Sequence, residues 1–290
     1  MRAALSATLT WHPLEPRPFT LVLGTNEIAS AIAVKLTGAG FAVVMSHDVF
    51  PPVIRRGMAF HDALFGEIRD VEGVAAERAD SMREVNRIHA DPDKVAVTEM
   101  HLMDIIALRS PSIIIDARMQ KHRVTPDLRG VARITVGVGP QFEVGFNCDI
   151  AVETHPVETG TIISLGATRL ADGRARDLGG AGRERFSYSD RYGIWHTPLD
   201  IGTRVYKGLQ LGSLGGQPVL APIDGMLRGI ARDGSHVPAS VKLLEIDPRG
   251  RQACWTGMDE RGRRIGSSTV AAIEQLLRAI PAAAGVSANV

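Results

Sequence analysis

The chain has 290 residues, room for two ordinary domains or one large one, with 44% hydrophobic and 22% charged residues and a formal net charge of +1 from 33 basic and 32 acidic side chains. That balance supplies no bulk field toward nucleic acid or anionic lipid. No Lys/Arg cluster interleaved with aromatics appears, and no apolar run approaches the ~18 residues a membrane helix needs. Two cysteines, Cys148 and Cys254, are too few for a disulfide scaffold or a four-thiolate metal centre. Met1 to Thr10 lacks a well-formed signal-peptide h-region, so the expected location is cytoplasmic, with neither a nucleic-acid nor a membrane partner.

In chain order, Pro18 to Leu23 is an apolar run closed by Gly24, and Glu27 to Leu36 carries Ile28, Ala31, Ile32 and Lys35 at helical spacing. Gly38-Ala39-Gly40 stops that helix, and Phe41 to Met45 is a continuous apolar run of the kind found in a strand covered on both faces. The unit is βαβ. Further on, Ala79 to His89 and Met100 to Leu108 read as helices, and Lys94 to Val97 and Ser112 to Ile115 as strands. This alternation predicts a parallel sheet, a Rossmann-like α/β domain over residues 1–155. Beyond Val131 helical periodicity gives way to short apolar runs (Ile134 to Val138, Ile150 to Val152, Thr161 to Leu165), and residues 156–290 are expected to be β-rich. A C-terminal helix is expected over Ser268 to Ile280, stopped by Pro281.

The turn Gly24-Thr25-Asn26-Glu27-Ile28-Ala29 stands where a dinucleotide fold carries G-x-G-x-x-G/A, with Asp48 about twenty residues on. Asn26 replaces the glycine that lets backbone approach a pyrophosphate, and Glu27 adds a charge that repels phosphate, so NAD or NADP is expected to bind weakly or not at all. Arg55 and Arg56, after the second strand, stand at the carboxyl edge where open α/β sheets bind ligands, and two guanidiniums there can clamp a phosphate. Equally, they can form a solvated loop or pair with Glu67 and Asp70. Asp116 and Arg118, after the strand Ser112 to Ile115, have the same positional logic and the same alternative. Nine histidines include the His101/Asp104 pair and His47 and His61, each preceding an Asp, yet none forms a metal signature. Cys148, beside an apolar strand with His155 nearby, reads more readily as a small buried hydrophobe than as a nucleophile. No catalytic residue is assigned.

Residues 202–243 carry an internal repeat: Gly202-Thr203-Arg204-Val205 followed by Leu209 and Leu211, then Gly234-Ser235-His236-Val237 followed by Val241 and Leu243. With the Ala221-Pro222-Ile223-Asp224-Gly225 turn between them, the stretch (about 195–250) resembles a barrel-sandwich, biotinyl/lipoyl-like module. Carriers of that type hold a lysine at a hairpin tip between the halves. None occurs here between Lys207 and Lys242, so carrier function is not expected.

Taken together, Gly24 to Ser30, Gly38 to Met45 with Pro52 to Arg56, Asp116 to Met119, Gly137 to Phe142, Cys148 to Thr154 and Ala221 to Gly229 with Val241 to Arg249 resemble, in order, the accessory-protein family of the selenium-dependent molybdenum hydroxylase system, which is grouped with xanthine-dehydrogenase accessory proteins. The likeness covers most of residues 18–255. Family members carry G-A-G-D at the first turn and G-P-G-F at the later one. Here these are Gly24-Thr25-Asn26-Glu27 and Gly139-Pro140-Gln141-Phe142, with glycines lost from loops that approach a ligand. The resemblance implies an accessory or maturation factor for a molybdenum-containing hydroxylase or dehydrogenase, with that enzyme as partner. The expected ligand is a phosphate-bearing small molecule near Gly24, Asn26, Glu27, Asp48, Arg55, Arg56, Asp116, Arg118 and Gly139. The alternatives are an enzyme acting on a small metabolite in an inter-domain crevice and a ligand-free scaffold. Cofactor identity and any homo-oligomeric state are left open.

Overall fold

The computed structural model describes residues 17–121 and 123–279. Met1 to Thr10 and the Ile280-Pro281 helix stop lie outside the described residues.

Nine strands form the first sheet: β1 (Phe19–Leu23), β2 (Ala42–Ser46), β3 (Arg69–Val71), β4 (Val74–Arg78), β5 (Lys94–Thr98), β6 (Ile113–Asp116), β7 (Ile134–Val138), β8 (Ile150–Val152) and β9 (Ile162–Ile163), in the spatial order β3-β4-β5-β2-β1-β6-β7-β8-β9. All neighbours are parallel except the two edge pairs, β3 with β4 and β8 with β9. The run β5-β2-β1-β6-β7-β8 is the doubly wound order, and it reverses direction between β1 and β6. β1, β2, β6, β7 and β8 are buried along their whole length, which is why their sequences read as continuous apolar runs. The hairpin β3–β4 was not expected, because Arg69, Asp70, Glu77 and Arg78 give it no apolar alternation.

Helices cover both faces. Helix α1 (Glu27–Gly38) packs Ile28, Ile32 and Leu36 on one face, while Val85 and Ile88 of α2 (Met82–Ile88) and Ile105 of α3 (Leu102–Leu108) pack with Leu21, Val44 and Ile114 on the other. Helix α4 (Glu260–Ala279) returns from the far end of the chain to lie on α1 and over β7, β8 and β9. It starts eight residues before the expected Ser268, and its added turns carry Gly262 and Gly266. A Cβ on Gly266 would meet the Ala31 carbonyl oxygen at 2.8 Å, so the residues that obscure the helix in the sequence are those that let two helix backbones come close.

The second half comprises β10 (Phe186–Tyr188), β11 (Gly193–His196), β12 (Arg204–Val205), β13 (Gln210–Leu214), β14 (Gln217–Leu220), β15 (Gly225–Ile230), β16 (His236–Val237) and β17 (Lys242–Asp247). Two antiparallel four-stranded sheets, β10-β17-β15-β12 and β14-β13-β11-β16, share one core around Trp195, Leu211, Leu227, Ile230, Leu243 and Ile246. Exchanging β10 to β13 with β14 to β17 converts one sheet order into the other. The repeat read from residues 202–243 is therefore part of a two-fold relationship spanning all eight strands. The hairpin between the halves, β13 to β14, turns through Gly215-Gly216 and has no lysine at its tip.

Candidate functional site

The loop after β2 contacts the second half, and the loops that follow the carboxyl ends of β1, β2, β6, β7 and β8 supply the candidate site. Four positions on this rim have positive φ: Gly24 (+107°), Met119 (+59°), Gly139 (+116°) and Gln141 (+72°). Gln141 holds the left-handed backbone that a glycine would adopt freely, and its amide Nε2 donates to the Lys121 carbonyl.

The first turn is closed on itself. Asn26 Oδ1 accepts from the backbone N–H of Ile28 (2.9 Å) and Ala29 (3.0 Å), and Asn26 Nδ2 donates to the Ala117 carbonyl (2.8 Å). The side chain thus occupies the helix-terminal donors a pyrophosphate would use and ties β1 to β6 across the switch point. A Cβ on Gly24 would lie 3.0 Å from the Ala117 carbonyl oxygen, so that glycine accommodates the neighbouring strand's loop.

The expected arginine pair is engaged with carboxylates. Arg55 donates to Glu27 (2.7 Å) and, through Nε (2.5 Å) and Nη2 (3.2 Å), to Glu245 on β17. Burial works against its charge, but Glu245 and Glu27 outweigh it and raise its pKa. Arg56 donates to Asp62 (2.7 Å) and to the Ile230 carbonyl (3.0 Å), and the Ile230 N–H donates to the Ile54 carbonyl (2.8 Å). The loop after β2 is thus a bracket between the two halves. Arg118 folds back on Asp116 (2.6 Å) and lies 3.6 Å from Asp48, which also accepts from Gln120 Nε2 (2.8 Å). Gly139 lies against the Met119 side chain. Cys148 is buried, and desolvation pushes its thiol up to about 12, which makes it inert as a nucleophile at neutral pH.

Facing these self-neutralised groups is a set of cations that sequence reasoning did not assemble. Lys121 (after β6), Arg183 (before β10), Lys242 (β17) and Arg261 (α4) have no ion-pair carboxylate among the described residues. Arg261 donates to the Thr154 carbonyl (3.3 Å), Arg183 stacks 4.3 Å over the Tyr188 ring, and the Lys242 amine lies 3.8 Å from the Phe186 ring centre. Their charges feel one another. Arg261 is held low by burial and by Arg55 against the pull of Glu27 and Asp259, and Lys121, an exposed residue, is lowered by desolvation of its amine and then by Arg261 against the pull of Asp172. Burial, Arg55 and Lys121 together bring Lys242 down to about 7. Beneath the set, fully buried Glu245 is shared by Arg55, Arg185 (3.0 Å) and Arg228 (3.8 Å). Burial alone would raise it, but the three guanidiniums hold it at about 2. One signal in the sequence pointed here: the chain has five lysines against 28 arginines, and two of the five meet at this site.

No family model matches the chain. The uncharacterized protein YqeB of Escherichia coli (strain K12) is 29% identical over 272 residues, 93% of this chain and 50% of that protein, so the chain spans about half the length of the curated relative it matches. Among solved structures, the product-bound ectoine utilization protein EutE (DoeB) from Ruegeria pomeroyi is 20% identical, with a TM-score of 0.21 over 29% of this chain and 27% of that one. No helix among the described residues is long and apolar enough to cross a membrane.

Proposed function

We propose that the chain is an accessory factor for a molybdenum-containing hydroxylase and holds a phosphate-bearing ligand between its two halves. The observation that carries the ligand half of this reading is the grouping of Lys121, Arg183, Lys242 and Arg261, none of them in an ion pair among the described residues, although Glu27, Asp172, Glu245 and Asp259 are close enough to act on their charges. Lys242 and Arg261 are half-buried while Lys121 and Arg183 are exposed, so like charges stand together with donors open to an anion, and phosphate offers enough acceptor oxygens to engage them. Glu27, Asp48, Arg55, Arg56, Asp116 and Arg118 then form the frame of the site rather than its ligand-binding donors. Gly24, Asn26 and Gly139 shape the rim. The accessory role rests on the ordered resemblance over residues 18–255.

Titration with inorganic pyrophosphate tests the ligand. Wild-type protein should bind it, and Arg261→Ala should weaken binding roughly ten- to a hundred-fold, the equivalent of one charge-assisted contact at ~1.5–3 kcal/mol. Equal affinity in wild type and in the Lys121→Ala and Arg261→Ala variants removes the site. Deleting the gene in its host and assaying molybdenum hydroxylase activity tests the accessory role, and unchanged activity overturns it.

A further inference from the structure

Lys242 differs from the other members of the cation set. It lies on β17 across from Tyr188 on β10, past a bulge between Ser187 and Tyr188, and its amine is 3.8 Å from the Phe186 ring centre. The Phe186 and Tyr188 rings are 6.2 Å apart, and the amine rests against the first of them. That ring is already taken by the Arg185 guanidinium, 4.3 Å from its centre. The amine therefore has an aromatic wall, no carboxylate within ion-pair distance among the described residues and no hydrogen-bond acceptor. The charged groups around it are Arg55 from the loop after β2, Lys121 from the loop after β6, Arg185 from the turn before β10, Glu245 on its own strand and Glu27 at the start of α1. Three of those five are cations. The chain elsewhere prefers arginine, which cannot give up its proton, yet this position has the one basic side chain that can become a free amine.

We propose that the Lys242 amine is a nucleophile that forms an imine with the carbonyl group of an anionic aldehyde or ketone, the anion being held by Lys121, Arg183 and Arg261. The inference rests on the anion-binding reading above and extends it by naming the ligand's second functional group. In the reaction the nitrogen lone pair attacks the carbonyl carbon and forms the C–N bond. A proton passes from nitrogen to oxygen, and the hydroxyl then leaves as water with a second proton, giving C=N with no change of oxidation state. Burial and the Arg55 and Lys121 charges hold the amine at about 7, so a large share is already unprotonated at neutral pH, as attack requires.

Pyridoxal 5′-phosphate is a suitable probe because it carries an aldehyde and a phosphate on one molecule, and pyridoxal is its phosphate-free comparator. The full chain is treated with a substoichiometric amount of each, reduced with borohydride, digested and mapped by mass spectrometry. The phosphorylated probe should label Lys242 at least tenfold ahead of Lys35, Lys94, Lys121 and Lys207. Labelling should rise through about pH 7 and slow when pyrophosphate is present. Lys242→Arg, which keeps the charge, should abolish that label without moving Tm. If the five lysines label evenly while pyrophosphate still raises Tm, the nucleophile is overturned and the anion site stands. If pyridoxal labels Lys242 as fast as its phosphate ester does, the nucleophile stands and the anion site falls.

Discussion

Arg55 and Glu245 form a two-point guanidinium–carboxylate contact, 2.5 Å at Nε and 3.2 Å at Nη2, between residues 190 positions apart. One lies on the loop after β2 and the other on β17, so this contact joins the parallel sheet to the antiparallel module. The geometry is the planar fork that arginine makes and lysine cannot. Because Glu245 also serves Arg185 and Arg228, it neutralises charges from three directions under the site.

Glu245→Gln should therefore destabilise the fold by about 3–5 kcal/mol, since it leaves the buried Arg185 without its carboxylate and Arg55 and Arg228 with one fewer. Urea denaturation checks this, and a loss below about 1 kcal/mol would show that the cluster does not join the halves. The sign with pH follows. With its folded pKa at about 2, below the ordinary value of 4.5, Glu245 contributes stability that is present above about pH 4.5 and lost as pH falls toward 2.

Anion affinity should fall as pH rises through about 7. Lys242 is charged below that value and neutral above it, and an anion binds the charged form better, so binding takes up a proton and weakens by at most tenfold per pH unit. Sulfate keeps its charge across this range and isolates the protein's contribution. In Lys242→Arg the pH dependence should flatten, and an identical slope in both proteins would assign the titration elsewhere.

Asn26→Ala should cost about 1 kcal/mol or somewhat more, because it removes the α1 cap together with the 2.8 Å bond to the Ala117 carbonyl. By the same geometry NAD and NADP should not bind the wild-type chain with micromolar affinity, and calorimetry with either dinucleotide decides it.

Gly266→Ala should destabilise the protein even though alanine favours helix by about 1 kcal/mol. The new methyl would stand 2.8 Å from the Ala31 carbonyl oxygen and 2.9 Å from Lys35 Cγ, and a backbone oxygen in α1 cannot move aside as a side chain can. An unchanged or raised Tm would mean that α4 is not seated on α1.

The strands and helices that the sequence made legible are those whose burial is uniform or regularly periodic: β1, α1, β2 and the buried strands β6 to β8. What it hid has one physical cause, dependence on partners distant in the chain. In the hairpin β3–β4, β3 is the sheet's edge and β4 alternates in burial only at Val74 and Ala76 before the charged Glu77 and Arg78. The first turns of α4 are glycine- and arginine-rich because α1, more than 200 residues earlier, and the site require it. Arg55 and Arg56 were legible as a pair at a sheet edge, but Glu245 as a partner was not. The same holds for Lys121 and Lys242, which only the docking of β17 against the loops of the parallel sheet brings together.

Acid stability offers a test at the carboxyl end of β2, where His47 follows the strand directly. Thr25 Oγ1 lies 3.0 Å from His61 Nδ1 and 3.2 Å from His47 Nδ1. One hydroxyl can donate to one ring and accept from the other, so the arrangement suits two neutral imidazoles with different tautomers. Burial, then the neighbouring His47, Arg56 and Arg232, push His61 down to about 3. Below its unfolded value of 6.5 the unfolded chain binds a proton that the folded chain refuses. Stability from this group is thus complete above pH 6.5 and declines, by up to about 1.4 kcal/mol per pH unit, as pH falls toward 3. His61→Gln retains a polar side chain without a titrating proton and should reduce the loss of stability between pH 6.5 and 4.5, a window above the fall expected from Glu245. Parallel urea-denaturation series on wild type and variant measure it, and identical pH slopes would show that His61 is protonated in the folded protein as readily as in the unfolded chain.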